Sequence, residues 1–90
     1  MKIKFSRKFS KLYVRTEPKI KLAFQERIKL FLQNPLDPLL NNHLLKGKLK
    51  DYRSINITGD WRALYSESTD KLGTIIITFE ALGTHSQLYK

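Results

Sequence analysis

Cysteine is absent from this 90-residue sequence, which removes disulfides, thiolate metal sites and cysteine nucleophiles together. Histidine occurs only twice, at His43 and His85, which by themselves make a poor metal site, and no small-molecule cofactor is expected. No apolar run is long enough for a spanning helix, and none of signal-peptide kind follows Lys2 and Lys4. Export, membrane insertion and membrane binding are therefore not expected, and a cytoplasmic location is. Repeats, low-complexity segments and Gly/Ser tracts are also missing, which leaves residues 1–90 as one domain.

Acidic residues are scarce as well. Eight Asp and Glu face 17 Lys and Arg, a formal net charge of +9. Such a surface repels itself, and gains by releasing counterions from a phosphate backbone or by pairing with an acidic protein. Nucleic acid is the first partner to consider. Solubility alone would also account for lysines spread from Lys2 to Lys90, and only the fold can show whether they gather on one face.

What is present reads as an α+β chain. Met1 to Phe5 alternates apolar and basic residues like a short strand. The period then lengthens: Phe5, Phe9, Leu12 and Tyr13 fall on one helical side, with Arg7, Lys8, Lys11 and Arg15 on the other. Thr16, Glu17 and Pro18 form a stop and restart. A longer helix follows, with Ile20, Phe24, Ile28, Phe31 and Leu32 on its buried side, and Asn34-Pro35 ends it. The aromatic stripes of both helices have the width of a core face on a sheet.

Residues 34–48 hold two prolines, paired asparagines and Gly47, which predicts an irregular connection. Beyond it Tyr52, Ser54, Asn56 and Thr58 alternate with Arg53, Ile55 and Ile57, the period of a half-buried strand. Gly59-Asp60 turns the chain into a strand over Trp61 to Ser66. A second turn leads to Thr74–Leu82, apolar on both faces and so placed in the sheet centre. The expected architecture is β-α-α-β-β-β: two N-terminal helices on a mainly antiparallel four-stranded sheet, with Gly83 onward as a short tail.

Cutting RNA without a metal needs a base near the 2′-hydroxyl, an acid near the departing 5′-oxygen, and positive charge around the phosphate. An imidazole can take either proton role near neutrality. His85 leaves the apolar strand through Gly83-Thr84, and strand-end loops often present reactive groups; His43 sits in the irregular loop. Asp60 is either ordinary turn chemistry or a proton acceptor that orients an imidazole. Lys46, Lys48, Lys50, Arg53 and Arg62 are candidates for phosphate, the arginines through their planar bidentate donors. Trp61 and Tyr89 offer faces on which a base could stack, though a core role for Trp61 is equally consistent with its position.

The order of motifs is familiar: Leu39-Leu40-Asn41-Asn42-His43-Leu44-Leu45-Lys46-Gly47, Tyr52-Arg53-Ser54-Ile55, Gly59-Asp60-Trp61-Arg62-Ala63-Leu64-Tyr65 and Gly83-Thr84-His85-Ser86-Gln87-Leu88-Tyr89. Taken together they resemble the RelE/ParE toxin superfamily, most closely its YafQ-like branch. The resemblance spans nearly the whole chain. It implies a RelE-like fold and a type II toxin that cleaves mRNA in the ribosomal A site without a metal. His85 would be the leading acid or base, His43, Asp60 and Arg62 its companions, and Tyr89 the terminal aromatic. Its implied partners are mRNA, the ribosome and an acidic antitoxin protein.

Two positions depart from that pattern. Asn56 stands where the branch carries a second strand histidine, and Ala81 where it carries an arginine. Arg62 occupies a phosphate-binding position of the RelE branch. A ParE-like gyrase inhibitor and a cleavage-deficient RNA- or ribosome-binding module are the alternative readings.

Overall fold

The computed structural model describes residues 1–89. Strand β1 (Lys2–Phe5) leads into helices α1 (Arg7–Arg15) and α2 (Pro18–Gln33), followed by β2 (His43–Leu44), β3 (Arg53–Asn56), β4 (Trp61–Thr69), β5 (Ile75–Thr84) and a terminal helix α3 (His85–Leu88). Single 3-10 turns cover Pro38–Leu40 and Gly47–Leu49. Among the described residues no helix is long and apolar enough to cross a membrane.

Local chemistry starts and stops the helices. The Ser6 hydroxyl accepts from Phe9 N at 3.0 Å and caps α1. Thr16 closes α1 rather than opening α2: its hydroxyl donates to Leu12 O at 2.8 Å, and Glu17 takes the cap position of α2 ahead of Pro18. Both helices lay their aromatic faces on the sheet, but Leu12 and Leu32, expected on those faces, are exposed.

The sheet order is β1-β5-β4-β3-β2, with β1 parallel to β5 and every other pair antiparallel. The two helices form the crossover that a parallel pairing requires. Five strands stand where four were expected, because His43 and Leu44 pair with Ser54 and Arg53 as a two-residue edge. Residues 85–88, expected only as part of a short tail, form a helical turn, and β4 extends three residues past Ser66.

An aromatic cluster fills the layer between helices and sheet. Phe79 on β5 meets Phe5, Phe9, Phe24, Phe31 and Tyr65 at centroid separations of 5.4–6.0 Å. Those spacings and their mostly tilted or edge-on geometries suit the ring quadrupole. Around them Leu40, Ile55, Ile57, Ala63, Ile77 and Leu82 complete the buried core. β5, the apolar strand, is paired on both sides as its sequence predicts.

Candidate functional site

Residues directly opposite across antiparallel strands share a face of the sheet. The row Ile55, Ala63, Leu82 points into the helix-covered core. The neighbouring rows, His43–Ser54–Leu64–Ala81 and Asn56–Arg62–Gly83, therefore stand on the opposite face. This outer face receives the C-terminal helix.

Three contacts hold α3 there. Gln87 and Thr84 form a capping box, in which Thr84 N donates to Gln87 Oε1 at 2.8 Å and Gln87 N to the Thr84 hydroxyl at 3.3 Å. His85 N donates to Asp60 O at 3.0 Å, joining the helix start to the β3–β4 turn. At the other end the Tyr89 hydroxyl donates to the Ser54 hydroxyl at 2.7 Å. Gly83 makes the close approach possible, because a Cβ there would lie 3.0 Å from Gln87 Oε1 and 3.4 Å from the Leu88 side chain.

These contacts gather most of the candidates for proton transfer. His85 and Asp60 are exposed and tied through their backbones. The Tyr89 ring meets the His85 imidazole edge-on, centroids 4.7 Å apart. His43 lies in the row that contains Ser54, the anchor of Tyr89. Its Nδ1 is 2.7 Å from Asn41 O; a carbonyl only accepts, so Nδ1 carries the proton, and in the neutral ring Nε2 is left with a free lone pair.

The basic and aromatic candidates divide. Arg62 shares the outer face, yet Nη1 donates to Thr58 O and Trp61 O, both at 3.0 Å, and Nη2 to Gly59 O at 3.2 Å. It staples the turn that carries Asp60. Arg53 falls on the helix side: its Nε donates to Asn42 Oδ1 at 2.8 Å, and Asn42 Nδ2 in turn donates to Tyr65 Oη at 2.9 Å and Pro35 O at 3.0 Å. This network pins the loop from which His43 projects. Burial pushes the Tyr65 phenol above its ordinary value, against the opposing Asn42 hydrogen bond and Arg53 charge. The native state resists its ionisation, so stability falls as pH rises past the unfolded tyrosine range.

Trp61 packs partly buried against the core and does not join the outer-face cluster. Lys46, Lys48 and Lys50 are exposed around the Gly47–Leu49 turn. Lys50 lines a separate cleft of about 470 Å³ with Asp51, Arg53, Tyr65 and Glu67. Among the described residues the one ion pair is Lys29–Glu26, so most of the basic side chains are not paired at contact distance and the net charge of +9 is carried by the surface. No three His, Cys, Asp or Glu side chains among the described residues gather into a metal-sized cluster.

Ser54 and Asn42 lie within two of the motifs but carry no chemical signal of function beyond their polarity; only pairing and loop geometry bring them to the site. Asn56, on the same face as Arg62, has a buried Oδ1 without a hydrogen-bond partner. An unmet buried carbonyl costs about 1–3 kcal/mol, and valine also suits a strand better than asparagine. Asn56→Val is accordingly expected to raise stability by up to about 1 kcal/mol in urea unfolding; a loss of more than that amount would mean the amide has a partner.

With this geometry in view, comparisons with known proteins place the chain. A YoeB/ParE toxin from Agrobacterium tumefaciens has the same fold, with TM-score 0.74 and 22% identity over 94% of this chain and 99% of that one. YafQ from E. coli strain BL21(DE3) gives 0.72 and 28% over 98% and 97%. YafQ within the E. coli DinJ–YafQ complex gives 0.65 and 29% over 98% and 97%. No curated protein matches the sequence. The family model described as the bacterial toxin of a type II toxin–antitoxin system, YafQ, matches residues 1–90. With the family model matched over residues 1–90 and the fold shared with solved YafQ structures, this chain belongs to the YafQ family of type II toxins.

Proposed function

We propose that this toxin is a metal-independent, ribosome-dependent endoribonuclease that cuts mRNA in the ribosomal A site and so stops translation. The observation that carries the reading is the His85 N–Asp60 O bond. It seats a titratable imidazole and a carboxylate at one end of a face that also holds His43. In this reading one of these groups takes the 2′-hydroxyl proton as the 2′-oxygen attacks phosphorus. Another returns a proton to the departing 5′-oxygen. His85 is the leading group, with His43 and Asp60 assisting.

Charge on the pentacovalent phosphate is met by Arg62, whose Nε and one Nη2 hydrogen are not engaged by the turn carbonyls. Lys46, Lys48, Lys50 and Arg53 contribute to the attraction of RNA and ribosome, a long-range term that tolerates their spread. Such a protein works in the cytoplasm, where ribosomes are. The DinJ–YafQ assembly of the E. coli relative supports a cognate antitoxin here too, with an acidic segment that pairs with the +9 chain.

Primer extension on mRNA held in purified bacterial ribosomes tests the reading, with naked RNA as control. Position-specific cuts that require the ribosome are expected. Ribosome binding without cuts would replace the enzyme with a binding module, and neither binding nor cuts would point to a gyrase supercoiling assay.

A further inference from the structure

We infer that Ser54 is a positioning residue: its hydroxyl holds the Tyr89 phenol, and Tyr89 in turn sets the orientation of the His85 imidazole. The catalytic half of this inference rests on the cleavage reading above; the geometric half does not.

Ser54 is the one buried polar residue among those described, with 0% of its surface exposed, in the middle of β3. Its partner is 35 positions away in sequence, and the 2.7 Å O–H···O separation is that of a well-formed hydrogen bond. Helix α3 has only four residues, and one helical turn does not persist by itself in water. Its geometry is imposed by anchors.

The capping box and the His85 N–Asp60 O bond fix backbone at the start of the helix. Neither reaches the imidazole. No side-chain hydrogen bond holds His85 among the described residues, whereas His43 has its own bond to Asn41 O. The contact that orients His85 is the Tyr89 ring, one turn on, at 4.7 Å and 70° between planes. The Tyr89 ring is held in turn by Ser54. Ser54 also lies directly opposite His43 across β2 and β3, so the anchor of Tyr89 stands beside the strand position of the second imidazole. Tyr89 is thereby engaged as a strut through its hydroxyl.

The test compares Ser54→Ala, Tyr89→Phe and the double variant. Tyr89→Phe removes the same hydrogen bond from the less buried end, so the comparison survives even if Ser54→Ala packs poorly. In NMR spectra the cross-peaks between the His85 and Tyr89 rings are expected to weaken in both single variants, with His85 ring protons moving toward their random-coil positions. In the cleavage assay kcat should fall about fivefold to tenfold in each, the size of one neutral hydrogen bond, with KM within about twofold. The double variant should be no worse than either single, because both remove one interaction.

Ring contacts that persist in both single variants overturn the inference, as do losses that multiply in the double. If the wild type makes no cuts, the cleavage reading fails while the NMR comparison still decides whether Ser54 orients His85. If it cuts and the ring contacts survive both substitutions, the inference fails alone.

Discussion

His85→Ala is expected to lower ribosome-dependent mRNA cleavage by about 10²- to 10⁴-fold, the usual worth of a positioned general acid or base. The side chain is exposed at the first position of α3, and no side-chain hydrogen bond ties it to the fold. Its removal leaves no buried cavity and costs only the exposed edge-on contact with the Tyr89 ring, so stability should stay within about 1 kcal/mol of wild type. Single-turnover cleavage on programmed ribosomes, set beside a urea unfolding curve, separates the two effects. A variant that keeps more than a tenth of the wild-type rate would take His85 out of the chemistry and leave proton transfer to His43 and Asp60. The Asp60 backbone carbonyl holds the His85 amide whatever its side chain is, so Asp60→Asn probes the carboxylate alone.

Phe79→Ala should have the largest effect on stability. Its ring is fully buried and bridges Phe5, Phe9 and Phe24 on one side to Phe31 and Tyr65 on the other. Truncation loses the transfer energy of the ring and opens a cavity that rigid neighbours cannot close, a cost of about 3–5 kcal/mol. A domain of this size has only about 5–13 kcal/mol to lose, so the variant is expected to lie close to unfolding at 37 °C. Urea unfolding at 25 °C checks it. A loss below about 2 kcal/mol would mean that the helices collapse onto the gap. Phe79→Leu, which keeps much of the volume, should cost markedly less.

Much of the fold was legible because its elements carry strong periods. Phe9, Phe24 and Phe31 announce the buried sides of two helices, and the run Ile75–Phe79 announces an interior strand. The alternation after Tyr52 correctly separates Ser54 and Asn56 from Arg53, Ile55 and Ile57. Alternation sorts residues into two faces but does not say which one the helices will cover. Arg53 was therefore legible as a candidate for phosphate contact and Trp61 as either a base-stacking or a core residue, and only the fold places both on the covered side. The two-residue strand β2 and the four-residue helix α3 are too short for any period to show.

The sequence by itself determined the charge, the lack of thiol chemistry, the order of the principal elements and the family, because these depend on composition and on neighbours close along the chain. Which residues meet was decided only by the tertiary structure. His85 reaches Asp60 across 25 positions and Tyr89 reaches Ser54 across 35, distances that no local pattern encodes. Those meetings follow from the register of β3, β4 and β5 and from the space that Gly83 leaves under α3. Register is fixed by burying the aromatic face as a whole, since a slip of one residue would turn that face outward.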